Sequence, residues 1–83
     1  MLTRYHFDHP RMQADVEFCP APNSHHCALY GELSIRIHAA GQTLLRDRKP
    51  TTGTAEPDIQ MKAETWAKAC FKRVLASPPD FAD

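Results

Sequence analysis

Glycine is scarce in this chain. Only three are present, Gly31, Gly41 and Gly53, too few and too scattered to build a phosphate-cradling loop of the P-loop kind. Net charge is missing as well: ten Lys plus Arg balance ten Asp plus Glu, which excludes a strongly basic nucleic-acid coat and an acidic DNA mimic. The balance holds locally, with three basic and four acidic groups in residues 1–41, three and two in 42–57, and four and four in 58–83, so no segment is a charged tail. Long apolar runs are absent. The longest, Cys27 to Tyr30, is four residues, against roughly twenty for a membrane span, and the opening Met-Leu-Thr-Arg-Tyr-His lacks the apolar stretch of a secretion signal. Three cysteines are an odd number and too few for a disulfide scaffold, which favours thiols in a reducing, cytoplasmic setting. No Ser-His-Asp grouping follows from the spacing and no carboxylate pair stands in an apolar setting, so the expectation is a protein that is not an enzyme.

What remains is a folded, soluble chain of 83 residues with 42% apolar content, large enough for one core and no second domain. Residues 28–38 alternate Leu29, Gly31, Leu33, Ile35 and Ile37 with Tyr30, Glu32, Ser34, Arg36 and His38, the period of a strand with one dry and one wet face. Residues 14–19 do the same, with Ala14, Val16 and Phe18 opposite Asp15, Glu17 and Cys19, and an antiparallel pairing of the two runs is expected. The Pro20-Ala21-Pro22-Asn23-Ser24-His25-His26 segment between them reads as a projecting loop. After a turn at Gly41, Thr43-Leu44-Leu45-Arg46 reads as a short third strand, and residues 2–7 alternate as a possible edge strand interrupted at His9-Pro10. Residues 47–57 carry Pro50, Gly53 and Pro57 without a period and read as a connector.

Residues 58–76 read as a helix. Ile59, Ala63, Trp66, Ala67, Cys70, Phe71, Val74 and Leu75 recur at three- and four-residue steps, with Gln60, Lys62, Glu64, Lys68, Lys72 and Arg73 on the other side. Pro57 and Asp58 suit the first turn, Lys72 and Arg73 the last, and Ser77-Pro78-Pro79 closes it before a tail over 77–83. One helix with one apolar stripe covers one sheet face. The expected fold is therefore α+β, a three- or four-stranded antiparallel sheet over residues 1–47 with one C-terminal helix, β-β-β-α, in a single domain.

Cys19, His25, His26 and Cys27 bracket the loop, with His6 and His9 available from the N-terminal strand, and thiolate plus imidazole is zinc chemistry. The Cys-x7-Cys spacing matches no common zinc knuckle and no second Cys-x-x-Cys pair exists. No metal or other cofactor is expected, a zinc-binding adaptor being the minor alternative, and a Cys19–Cys27 disulfide requires an oxidising medium. Cys70 lies on the apolar stripe and reads as a small buried hydrophobe. Arg46, Arg48 and Lys49 form a short basic cluster near the wet sheet face, where Tyr30 and Arg36 are residue types that anchor interfaces. The expected partner-binding set is Tyr30, Arg36, His25, His26, Arg46, Arg48 and Lys49.

Residues 28–76, with Gly53 leading into Met61-Lys62-Ala63-Glu64-Thr65-Trp66-Ala67-Lys68-Ala69-Cys70, resemble in layout the last part of a double-stranded-RNA-binding domain. That resemblance implies phosphate contacts from the helix start, where Lys62 and Ala63 approximate the family's basic run. In size, neutrality and sheet-then-helix order, carried by Gly31-Glu32-Leu33-Ser34-Ile35-Arg36-Ile37 through Met61 to Leu75, the chain also resembles the small phage-encoded anti-CRISPR inhibitors. This second resemblance implies a stoichiometric inhibitor, without catalysis, that docks on a nucleic-acid-handling effector complex; separately, a monomer or weak dimer is expected. A protein-interaction module is the leading expectation and a nucleic-acid-binding domain the alternative.

Overall fold

The computed structural model describes residues 3–22 and 29–76. Four strands, β1 (Thr3–His9), β2 (Met12–Pro20), β3 (Leu29–Ala39) and β4 (Gln42–Gly53), precede one helix, α1 (Glu56–Ala76). The strands form a single antiparallel sheet in the order β1-β2-β3-β4, so each pairs with its neighbour in sequence and the fourth strand allowed for in the sequence is present. Helix α1 touches all four strands.

Alternation along each strand divides the sheet into a dry and a wet face. Val16 lies opposite Ile35, Ala14 opposite Ile37 and Phe18 opposite Leu33, and all six are buried. From α1, the residues Ile59, Ala63, Trp66, Ala67, Cys70 and Phe71 close over them. Tyr5, Phe7, Leu29, Leu45 and Val74 pack around the rim. Leu75, expected in the stripe, is 48% exposed because its position on the helical wheel lies about a third of a turn from the stripe's centre.

The turns follow from a few residues. Ala40 and Gly41 have φ of 51° and 77°, the positive values that a two-residue type I′ hairpin loop requires between Ala39 and Gln42. Pro10 and Arg11 join β1 to β2, and the Arg11 N–H donates to His9 Nδ1 at 3.0 Å. His9-Pro10 is thus the corner of a hairpin rather than an interruption of one edge strand. A bulge between Ile37 and His38 leaves Leu44 as the extra residue, 44% exposed. At the other end of β3, a side chain on Gly31 would have its Cβ 2.1 Å from the Cys19 carbonyl oxygen, so only glycine allows β2 and β3 to approach there.

The expected short third strand and the 47–57 connector are corrected. β4 continues through residues 47–53 and ends at Gly53. Its alternation is hidden because Asp47 and Lys49, which point to the helix side, are charged residues at the sheet margin. Arg73 Nη1 donates to Asp47 Oδ2 at 3.2 Å, and Lys49 Nζ lies 5.2 Å from the centre of the Trp66 ring, a cation–π contact. Pro50 lacks an amide donor and is accepted because β4 is an edge strand. The true connector is Thr54-Ala55. Asp58 Oδ2 accepts the Thr54 N–H at 3.1 Å and places a carboxylate at the positive end of the helix, while Pro57 occupies the first turn, where no intrahelical N–H is needed.

Two outcomes are expected. Trp66→Ala destabilises the chain by about 3–5 kcal/mol in denaturant titration, the cost of emptying an aromatic site in a core. Ala40→Asn raises stability by about 0.5–1 kcal/mol in the same assay, because an L-residue other than Asn, Asp or Gly is strained at positive φ.

Candidate functional site

With α1 on one side, the opposite face of the sheet is open, and its residues are set in rows by the strand registers. One row runs Arg4, Glu17, Ser34, Arg48; the next His6, Asp15, Arg36, Arg46; the third Asp8, Gln13, His38, Thr43. Beyond them Cys19, Glu32 and Pro50 form a fourth, and Tyr30 stands opposite Thr52 at the end of the sheet. Residues of the first two rows line a shallow depression of about 1020 Å³.

Asp15 organises the β1–β2 half. Its Oδ1 accepts from His6 Nδ1 and its Oδ2 from His38 Nε2, both at 2.7 Å. His6 Nε2 lies 3.0 Å from Asp8 Oδ1, so a hydrogen-bonded chain Asp8–His6–Asp15–His38 spans three strands. The hydrogen bonds to Asp15 and then to Asp8 raise the His6 pKa above the ordinary imidazole value, because both ring nitrogens must carry protons to satisfy two carboxylates. Asp15 is held below the usual carboxylate range, by the His6 hydrogen bond first and by His38 after it.

The β3–β4 half is basic. Arg36 lies opposite Asp15 on one side and opposite Arg46 on the other. Asp15 gives both oxygens to the histidines, so Arg36 is left to donate from Nε to Thr43 Oγ1 at 3.0 Å. Among the described residues Arg46 has no ion pair, whereas Arg4 pairs with Glu17 at 3.0 Å and Arg48 reaches Glu32 at 3.8 Å. Like charges directly opposite on neighbouring strands disfavour folding. Arg36 and Arg46 are therefore retained at some cost to stability.

The structure places Arg36, Arg46 and Arg48 of the expected binding set together on the open face, with Tyr30 on the same face but at the end of the sheet, six residues along β3 from Arg36. It separates Lys49, which strand alternation sends to the helix side over Trp66. His25 and His26, and with them Cys27, lie outside the described residues. Of the possible zinc ligands Cys19, His6 and His9 are described: Cys19 is exposed on the open face, His6 is held by Asp15 and Asp8 and His9 Nδ1 accepts from the Arg11 N–H, and no group of three or more His, Cys, Asp or Glu among the described residues is arranged to hold a metal ion. Cys70 is buried, and burial pushes its thiol pKa up, the opposite of what a nucleophile needs. Sequence reasoning missed Arg4, His6 and Asp8 as members of this face. The alternation of residues 2–7 placed Arg4 and His6 on one side of a strand, but only the β1–β2 register shows which side and adds Asp8 to it.

At the start of α1, Lys62 Nζ donates to the Thr52 carbonyl oxygen and lies 3.8 Å from Asp58. The lysine that a double-stranded-RNA-binding layout would turn to phosphate is thus tied to β4. Residues 28–76 hold two strands and a helix rather than the three strands that the layout implies. No family model matches the chain, and neither the curated proteins nor the solved structures contain a match. Among the described residues no helix is long and apolar enough to cross a membrane.

The stabilising effect of the raised His6 pKa is complete below the free imidazole value and fades as pH rises through the raised one; that of Asp15 is present above the free carboxylate value and fades on acidification below it. In an NMR titration of the imidazole protons, His6 is expected to titrate above a free histidine, and Asp15→Asn to move it back down. A His6 titration that Asp15→Asn leaves in place would show that the Asp15 contact does not hold in solution.

Proposed function

We propose that the protein is a non-enzymatic binding module that docks on a partner protein through the open sheet face. The observation that carries this reading is the Arg36–Arg46 opposition: two guanidinium groups face each other across neighbouring strands, and Asp15, opposite Arg36 on β2, is taken up by His6 and His38. Rigid strands hold these groups, and arginine in a fixed setting forms bidentate bonds to carboxylates at little entropic cost. With Arg48 next to them and Tyr30 farther along, they suit an acidic protein patch, while Asp8, Asp15 and Glu17 on the other half fix the orientation in which that patch docks. A stoichiometric inhibitor that works by occlusion asks for nothing beyond such a face.

The same arginines favour a second reading, contact with nucleic-acid phosphates. Salt separates the two, since a binder that neutralises several phosphates loses affinity steeply between about 50 and 200 mM salt. Fluorescence anisotropy with labelled duplex RNA and duplex DNA across that range tests it directly.

For the protein-binding reading, the Arg36→Ala/Arg46→Ala double variant is expected to remain folded, with relief of the like-charge opposition. It should lose partner binding by about 1–3 kcal/mol per arginine in quantitative pull-down followed by calorimetry with the captured partner. Lys68→Glu, on the outer face of α1, should bind as wild type does. The reverse pattern would move the interface to the helix.

A further inference from the structure

The two edges of the sheet differ. On β4, Pro50 removes an outward-facing donor, and Arg46 and Arg48 repeat the same charge along the strand, both devices that discourage strand addition. β1 has neither. It runs seven residues without a proline, and among the described residues it pairs with β2 alone, so the backbone groups along its outer side have no strand partner.

β1 is also complementary to itself. Read outward from His6 in Thr3-Arg4-Tyr5-His6-Phe7-Asp8-His9, the flanking pairs are Tyr5 with Phe7, Arg4 with Asp8, and Thr3 with His9. Arg4 and Asp8 carry opposite charge, with side chains 74% and 75% exposed, and Tyr5 and Phe7 are stacked aromatic rings with centroids 6.5 Å apart on the core side. We propose that β1 pairs antiparallel with β1 of a second copy about a two-fold axis at His6, giving a dimer with one continuous eight-stranded sheet. Centring on His6 pairs all seven residues, aligns Arg4 with the partner copy's oppositely charged position twice, and sets Tyr5 against Phe7 twice. A shift of the axis by one residue to Tyr5 or Phe7 loses both Arg4–Asp8 pairs and shortens the ladder. The two His6 rings meet at the axis, and each is already held by Asp15 and Asp8, so carboxylates flank the pair on both sides. A two-fold axis perpendicular to the sheet keeps both helices on one side and joins the two open faces into one surface. The pairing rests on β1 alone and not on the binding reading given above.

A seven-residue edge buries little surface, so the dimer is expected to form in the range of roughly 10–100 µM and to exchange rapidly. The test uses the full chain in sedimentation velocity up to about 500 µM, together with amide shifts recorded over the same dilution series. The expected result is a concentration-dependent monomer–dimer equilibrium with shifts centred on residues 3–9. Arg4→Asp and Asp8→Arg, each confirmed folded by its amide spectrum, should each be monomeric because like charges then meet twice, whereas an equimolar mixture of the two should recover the dimer. A folding defect cannot produce that recovery. A wild-type chain that stays monomeric at the highest concentration, shifts centred on another element, or a mixture that fails to associate would overturn the proposal.

Discussion

The register between β2 and β3 is the constraint on which everything else depends. Val16 against Ile35, with Ala14–Ile37 and Phe18–Leu33 beside it, gathers the apolar side chains of the two central strands under α1. A slip of one residue would send this set to water and bring Asp15, Glu17 and Arg36 against Trp66 and Phe71, so burial itself selects the register. Backbone geometry supports it at both ends of β3, through the close approach at Gly31 and the positive-φ turn at Ala40-Gly41.

The same register writes the open face. Because Asp15 stands between His6 and Arg36 across the strands, its hydrogen bonds decide which cations are neutralised within the protein and which are presented to solvent. The histidines on either side occupy both carboxylate oxygens, one from β1 and one from β3. The consequence is a face with a satisfied half and an unsatisfied half: Arg4, His6 and His38 have carboxylate partners, and Arg36 and Arg46 have none among the described residues. Stability alone does not favour two arginines opposed across a ladder, which is why this corner bears the weight of the functional reading.

The margins of the sheet are handled in two ways. At β4 the charged residues Asp47 and Lys49 turn toward α1 and are held by Arg73 and Trp66 of the helix, and the Thr52 carbonyl oxygen accepts from Lys62. These contacts make the fourth strand part of the fold although its apolar content is low. At β1 the aromatic residues Tyr5 and Phe7 join the rim of the core, yet the outer edge carries no proline and no run of one charge.

Much of this was legible in the sequence. The α1 stripe, the alternation of β2 and β3 and their pairing, and the wet positions Tyr30, Glu32, Ser34, Arg36 and His38 all follow from periods of 3.6 and 2, because burial on one side leaves that mark on composition. The extension of β4 was not legible: Asp47 and Lys49 turn toward a partner helix far along the chain, and a charged residue satisfied by a distant neighbour looks the same in sequence as one in a loop. The Asp8–His6–Asp15–His38 chain was hidden for a related reason, since its members come from three strands and meet only once the registers are set. Local periodicity thus determined which residues face inward, being a property of neighbours along the chain; the tertiary structure alone decided which charges meet, because electrostatic partnership depends on distances across strands that sequence separation does not encode.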